Sequence, residues 1–240
     1  MIEKDFSYEF YRNTLSELKK NHQFVGFESV STNDVILRHD VDIALQPAVK
    51  MAKIENELGI QSTYFILIHS PFYNPFSINS SKCINELLSL GHKIGLHYDS
   101  SYYLENYLEP DYIIKKEIEM FSSHFKTNVN VVAAHNPTTN KKMEINFPDN
   151  MIDADSLRFK ENRKYISDSV QNWREEPFSN FIDYENLYIL IHPIWWSDDN
   201  KSRVEILQSL VGGDLDYYKK EIEYLKNFQN NYLSKIKKNN

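Results

Sequence analysis

Val35-Ile36-Leu37-Arg38-His39-Asp40-Val41-Asp42 opens as an unbroken apolar run and closes on four ionisable side chains, and that change of character decides the fold. Short aliphatic runs of this kind belong to strands buried on both faces of a parallel sheet. The pattern returns at Ser62–His69, Lys93–Tyr98, Val129–His135, Met151–Asp155, Tyr165–Asp168 and Leu187–His192, with helical spacing between several of the runs. Such alternation predicts βα units. The polar groups gather at the carboxyl ends: His39-Asp40-Val41-Asp42, His69-Ser70, His97-Tyr98-Asp99, His135-Asn136-Pro137, Asp153-Ala154-Asp155, Ser167-Asp168-Ser169 and His192-Pro193. In a barrel of parallel strands these ends share one rim, and such folds place their chemistry there. We therefore expect an α/β fold, a distorted seven-stranded (β/α) barrel with C-terminal helices, as a single domain over residues 1–240.

The breaks between runs agree with this. Pro47 suits the first turn of a helix that ends near Leu58, where Gly59 supplies the stop. Ser80 or Ser81 is expected to cap a helix through Leu90, ended by Gly91, and Asp111 opens another to about Phe125 with Ile114, Ile118 and Phe121 on one face. After the last run, Val204, Leu207 and Val211, then Leu215, Tyr218, Ile222, Leu225 and Phe228, describe two amphipathic helices parted at Gly212-Gly213. No repeat of fixed period and no Pro/Gly linker marks a domain boundary.

A chain of 240 residues, 41% hydrophobic, can bury a sizeable core. Its net charge of -7 argues against nucleic-acid partners, which need a positive stripe, and the Lys-rich stretch 235–238 reads as a solubilising tail. No run of 18 uncharged apolar residues exists, and Met1-Ile2-Glu3-Lys4-Asp5 lacks a secretory pattern, so a cytoplasmic protein without a membrane span is expected. Cys83 is the lone cysteine, which fits a reducing compartment and means that any metal must use His and carboxylates.

Asp40 and Asp42 stand two apart on a strand, so both side chains face one way. Paired carboxylates repel unless a cation or a shared proton lies between them, and a divalent ion meets that need. One carboxylate would ligate the ion while the other takes a proton from water that the ion acidifies. Arg38 shares their face, would keep the base ionised and is also expected among the substrate contacts; the bland alternative is a plain buried ion-pair network of the three. His92 and His97 cannot ligate together, because a strand over 93–98 holds them roughly 16 Å apart. His97 alone reaches the rim, and His92 reads as a surface histidine at the strand start. His192 ends the last run and is placed as the general acid that protonates a leaving amine.

These residues carry a resemblance. Leu37-Arg38-His39-Asp40-Val41-Asp42 resembles the first motif of the polysaccharide deacetylases (the NodB-like, carbohydrate esterase family 4 group), Gly91-His92-Lys93-Ile94-Gly95-Leu96-His97 resembles their Gly-His-Glu-Ile-Gly-x-His stretch, and Tyr188-Ile189-Leu190-Ile191-His192 resembles their late Leu-x-Leu-x-His motif. The three occur in order over about residues 35–193. The resemblance implies a distorted barrel of seven strands, Asp40 as base, Asp42 and His97 as metal ligands, and removal of an acetyl group from an N-acetylated sugar. It extends in particular to divergent His-Asp-Val-Asp members that serve lipopolysaccharide or capsule assembly.

Two departures matter. The family carries a second metal histidine four residues after the first, where this chain has Ser101, and an Arg-Pro motif where it has Ala134-His135-Asn136-Pro137. Position-by-position transfer leaves the ion one ligand short. His135, at the end of a neighbouring strand, is the expected replacement, with Asp99 the second choice. Zinc is the expected ion, with iron, cobalt or manganese as alternatives. For the substrate, aromatic faces at Tyr73, Trp173 and Trp195-Trp196 would stack on sugar rings, Arg174 and Arg158 would meet a carboxylate or phosphate, and Asp99, Asn136 and Asp155 would add polar contacts from the rim. The reading is a metal-dependent N-deacetylase acting on an acetamido sugar precursor, nucleotide-linked or lipid-linked, in lipopolysaccharide (O-antigen) or capsule biosynthesis. The alternatives are a non-hydrolytic sugar-binding or accessory protein, or other C–N chemistry such as uronic acid amidation.

Overall fold

Aliphatic residues that must hide from water on both faces need strands on both sides, and the computed structural model supplies them. It describes residues 5–29, 33–135, 145–173, 184–210 and 223. These fall into two units, Met1–Asn200 and Lys201–Asn240. In the first unit the order is α1 (Tyr8–Leu18), β1 (Gln23–Val25), β2 (Asp34–Val41), α2 (Leu45–Glu57), β3 (Thr63–Leu67), α3 (Ile78–Ser89), β4 (Lys93–Tyr98), α4 (Ser100–Glu105), α5 (Pro110–Phe125), β5 (Val131–Ala134), β6 (Ile152–Asp153), β7 (Lys164–Ser167) and β8 (Leu187–Ile191), with 3-10 turns at Leu157–Phe159 and Pro193–Trp195. Of the second unit, residues 203–210 form a helix; Gly212-Gly213 and the helix expected after it lie outside the described residues. No described helix is long and apolar enough to cross a membrane.

All ladders among the described residues are parallel, and seven strands follow the path β6-β5-β4-β3-β2-β8-β7. The eighth, β1, was not foreseen; it pairs with Asp34–Ile36, the half of β2 that β3 leaves uncovered. In a flat sheet β2 and β6 would stand roughly 19 Å apart. Here Arg38 on β2 donates to Asp155, just past β6, at 2.9 Å, and the Tyr188 hydroxyl on β8 donates to the Ala154 carbonyl at 2.9 Å. The sheet is therefore curled into a (β/α)-barrel-like shape. No ladder joins β6 to β7 among the described residues, so the curl is a half-barrel.

The curl gives the sheet a packed inner and a packed outer side among the described residues. Phe27, Ile36, Phe65, Val131, Ala133, Ala154, Phe159 and Tyr188 fill the inside. Gly95 makes room for them, since a Cβ there would lie 2.5 Å from the Phe65 ring. Outside, α2, α3 and α5 pack Ala48, Ala52, Ile84, Leu87, Ile114, Ile118 and Phe121 against the sheet. Gly59 and Gly91 end α2 and α3 with positive φ, as their positions predicted. The cap of α3 is Ser77, whose side chain accepts from Ser80 N–H, so the helix begins earlier than Ser80 or Ser81 would have it. His92 is also corrected: it is buried, not a surface residue, with Nδ1 accepting from Ser62 N–H and Nε2 donating to the Ala52 carbonyl.

Behind β2 lies an unexpected polar knot. Glu55 takes a place on the apolar face of α2 and is fully buried. Its carboxylate accepts from Tyr11 (2.5 Å), Tyr64 (2.9 Å) and Ser62 (2.5 Å), and His39 Nε2 lies 2.8 Å away. Burial favours the neutral acid, yet His39 and the other neighbours outweigh it and hold the Glu55 pKa below its usual value. His39 precedes Asp40, so the knot fixes the carboxyl end of β2 to α1 and α2. Glu55→Ala strands these donors and is expected to cost about 3 kcal/mol or more in urea unfolding; a loss under about 1 kcal/mol would contradict the role given to the knot.

Candidate metal centre and active site

Strand alternation and register bring the site together. Asp40 pairs with Phe65, Phe65 with Gly95, Leu67 with His97, and His97 with Ala133, so these residues share the inner face. Two residues on from Asp40 and Ala133, Asp42 and His135 lie just past the ends of β2 and β5, and His192 follows β8. One ligand atom each from Asp42, His97 and His135 lies within 4.8 Å of the others. His97 Nε2 is 3.3 Å and His135 Nδ1 3.6 Å from Asp42 Oδ1.

The three residues fit a cation on their own chemistry. Asp42 Oδ1 is buried and makes no hydrogen bond, a state that costs free energy unless a charge faces it. His97 Nδ1 donates to the Ala133 carbonyl at 3.0 Å, so Nε2 is the ring nitrogen turned toward Asp42 and left for a cation. Burial would raise the Asp42 pKa, but His135 and His97 outweigh it and keep the carboxylate well below its usual range. Burial would lower that of His97, and Asp40 and Asp42 outweigh it.

Asp40 sits beside the triad, with Oδ2 3.5 Å from His97 Nε2. Arg38 grips both its oxygens, Nε to Oδ1 at 2.7 Å and Nη2 to Oδ2 at 2.8 Å. The same guanidinium uses Nη1 on Asp155 and the Tyr188 hydroxyl. Arg38 is thus a buried support for Asp40 and makes no rim contact of the kind expected for substrate binding. Asp155 is likewise engaged, since its other oxygen accepts from Ala134 N–H at 3.0 Å and so anchors the end of β5 ahead of His135.

His192 is held by a residue that the sequence reading left among ordinary strand-end groups. Asp168 is fully buried and accepts from His192 Nδ1 (2.7 Å), His192 N–H (2.9 Å) and Trp196 Nε1 (2.9 Å). Nε2 is the ring nitrogen not used by Asp168. Burial pushes the His192 pKa down, but Asp168, Asp42 and Asp40 outweigh it and raise it to about 9.

The remaining expected contacts divide in two. Asn136 and Arg174 lie outside the described residues. Tyr73, Asp99, Trp173 and Trp195 make contacts within the chain. The Tyr73 hydroxyl donates to the Val41 carbonyl (2.6 Å) and accepts from Leu67 N–H. Asp99 caps α4 through Ser101 N–H at 2.9 Å and is not part of the group formed by Asp42, His97 and His135. Trp173 stacks on Phe6 at 5.6 Å, and Trp196 packs among Phe6, Phe10 and Tyr11, so Phe6 and the first turn of α1 pack on the indoles. Trp195 is buried in the same 3-10 turn region. Arg158 is exposed, its guanidinium lying over the Phe159 ring.

No family model and no curated protein matches the chain. Similar solved structures include the Xyl-CE4 domain of a multidomain xylanase from the hindgut metagenome of Trinervitermes trinervoides (14% identity, TM-score 0.43, 82% of this chain and 85% of that one). Others are a family 4 carbohydrate esterase from Bacillus anthracis (17%, 0.39, 85% and 86%) and the chitin deacetylase from the fungal pathogen Colletotrichum lindemuthianum (13%, 0.38, 76% and 81%). Likeness at this level transfers no residue roles.

Proposed function

We propose that this chain is a metal-dependent N-deacetylase that hydrolyses the acetamido group of a sugar precursor, nucleotide-linked or lipid-linked, in lipopolysaccharide or capsule biosynthesis. The observation that carries the reading is the convergence of Asp42, His97 and His135 from three separate strand ends, beside a second carboxylate, Asp40. Asp42, His97 and His135 would hold the ion, zinc by its taste for imidazole and carboxylate. When bound, it supplies Lewis-acid polarisation of the acyl group and of water.

The chain's own groups account for the proton traffic. Asp40, fixed by Arg38 and kept in the inner face, accepts the proton of the attacking water. Water oxygen bonds to the acetyl carbon, and the C–N bond then breaks. His192, held by Asp168 with its pKa near 9, carries its proton at neutral pH and gives it to the leaving nitrogen. The products are acetate and a free amino sugar.

Asp40→Asn tests this division of labour. Acetate release from an N-acetylhexosamine donor is expected to fall at least about a hundredfold, while metal content stays near that of the unaltered protein. An unchanged rate would remove Asp40 from the mechanism.

A further inference from the structure

Glu117 is a carboxylate in the wrong company. It stands on the buried face of α5 with Ile114, Ile118, Phe121 and Phe125, where helical spacing calls for an apolar residue. A buried charge is costly unless its partners are well placed. Glu117 has two: the Tyr103 hydroxyl donates to Oε2 at 2.5 Å, and His69 Nε2 lies 2.6 Å from Oε1. Tyr103 is itself fully buried, so the carboxylate is held from below and its one outward connection is His69.

His69 lies two residues past the end of β3, and β3 stands between β2 and β4, the strands that bring Asp42 and His97 to the rim. The next residue touches the centre's own backbone, as Ser70 Oγ donates to the Asp42 carbonyl at 2.6 Å. With Nε2 committed to Glu117, Nδ1 is the free edge of the ring, and it makes no hydrogen bond to a described residue. Tyr102 from α4 stacks on His69 with centroids 3.6 Å apart and planes within 11°. Tyr102 is 37% exposed, so the aromatic ring stacked on His69 also meets solvent.

A loop clip would not need this arrangement. Ser70 Oγ on Asp42 and the Tyr73 hydroxyl on Val41 and Leu67 already tie the loop after β3 to the sheet. The buried carboxylate instead sets the tautomer and orientation of an imidazole that ends at the surface. An aromatic face beside an imidazole nitrogen able to accept from or donate to a hydroxyl is the chemistry that recognises a pyranose ring.

We propose that Tyr102 and His69, oriented by Glu117, form a sugar-binding ledge next to the metal centre that receives the ring of an N-acetylated hexosamine. This rests on the deacetylase reading for the identity of the sugar. Tyr102 supplies the stacking face, His69 a hydroxyl contact, and Glu117 with Tyr103 the support beneath.

Titration calorimetry with di-N-acetylchitobiose as the probe tests the ledge on the full chain. Tyr102→Ala is expected to weaken binding about tenfold and His69→Gln by several-fold, whereas Tyr102→Phe, which keeps the ring, stays within about twofold of the unaltered protein. Thermal unfolding of each variant, expected to be unshifted for the two Tyr102 variants, separates lost recognition from a lost fold. Titrations of Tyr102→Ala and the unaltered protein that superimpose, or no binding by either, would overturn the ledge whether or not acetate is released. A tenfold affinity difference in a protein that releases no acetate would leave the ledge standing and overturn the deacetylase reading alone.

Discussion

His135→Ala protein is expected to lose most of its metal on dialysis, with affinity down on the order of a hundredfold or more. Mutation of groups that merely orient a ligand costs 10–100-fold, and among the described residues His135 would be one of three protein ligands within reach of the ion. Removing it leaves Asp42 Oδ1 and His97 Nε2, two donors where a four-coordinate catalytic site uses three plus an open position. Acetate release should fall with the metal and return in part at high added zinc. Asp99→Ala is the informative companion, because the Asp99 carboxylate is engaged on Ser101 N–H at the start of α4. It should keep its metal. Full retention of metal by His135→Ala, measured by elemental analysis, would contradict the ligand set.

The second large effect concerns Asp168. Asp168→Asn removes the anion that accepts His192 Nδ1–H and raises its pKa to about 9 against the push of burial. Without it the ring is deprotonated at neutral pH and its tautomer is no longer fixed. Acetate release should drop about 10²–10⁴-fold, with metal content little changed. In the cation-free protein the same pair has a stability signature. A histidine whose pKa rises from 6.5 to about 9 on folding contributes stability that is complete below about pH 6.5 and disappears as pH rises through 9. The contribution is on the order of 3 kcal/mol. Urea unfolding from pH 6 to 10 should therefore show the gap between Asp168→Asn and the unaltered protein narrowing as pH rises. A gap that widens would reverse the assigned protonation state.

The strands were legible because parallel strands buried on both faces leave continuous aliphatic runs, and all seven expected runs became strands, each within a few residues of its expected ends. The missed elements include α1, eleven residues long and capped by Ser7, whose local signal was present but not read, and two whose signal is short or supplied from elsewhere. β1 has three residues and is defined by what β3 leaves open on β2, and α4 has six. The coming together of Asp42, His97 and His135 could be anticipated from strand ends alone, since period-two alternation fixes which side chains face inward. Asp168 could not be separated from other strand-end aspartates, because its importance lies in a contact with His192 24 residues away. The tryptophans were misread for a similar reason: nothing local in Trp173 or Trp195-Trp196 says that Phe6, Phe10 and Tyr11 will cover that region. Glu55 and Glu117 carried a readable signal, an acidic residue within an apolar helical stripe, in each case marking a buried network.

The most direct test is an anomalous difference map from crystals of the purified protein, collected across the absorption edge of the metal found by elemental analysis. The account predicts one peak touching the Asp42 carboxylate and the imidazoles of His97 and His135. A map with no peak between these three side chains, or with the ion bound elsewhere, would contradict it.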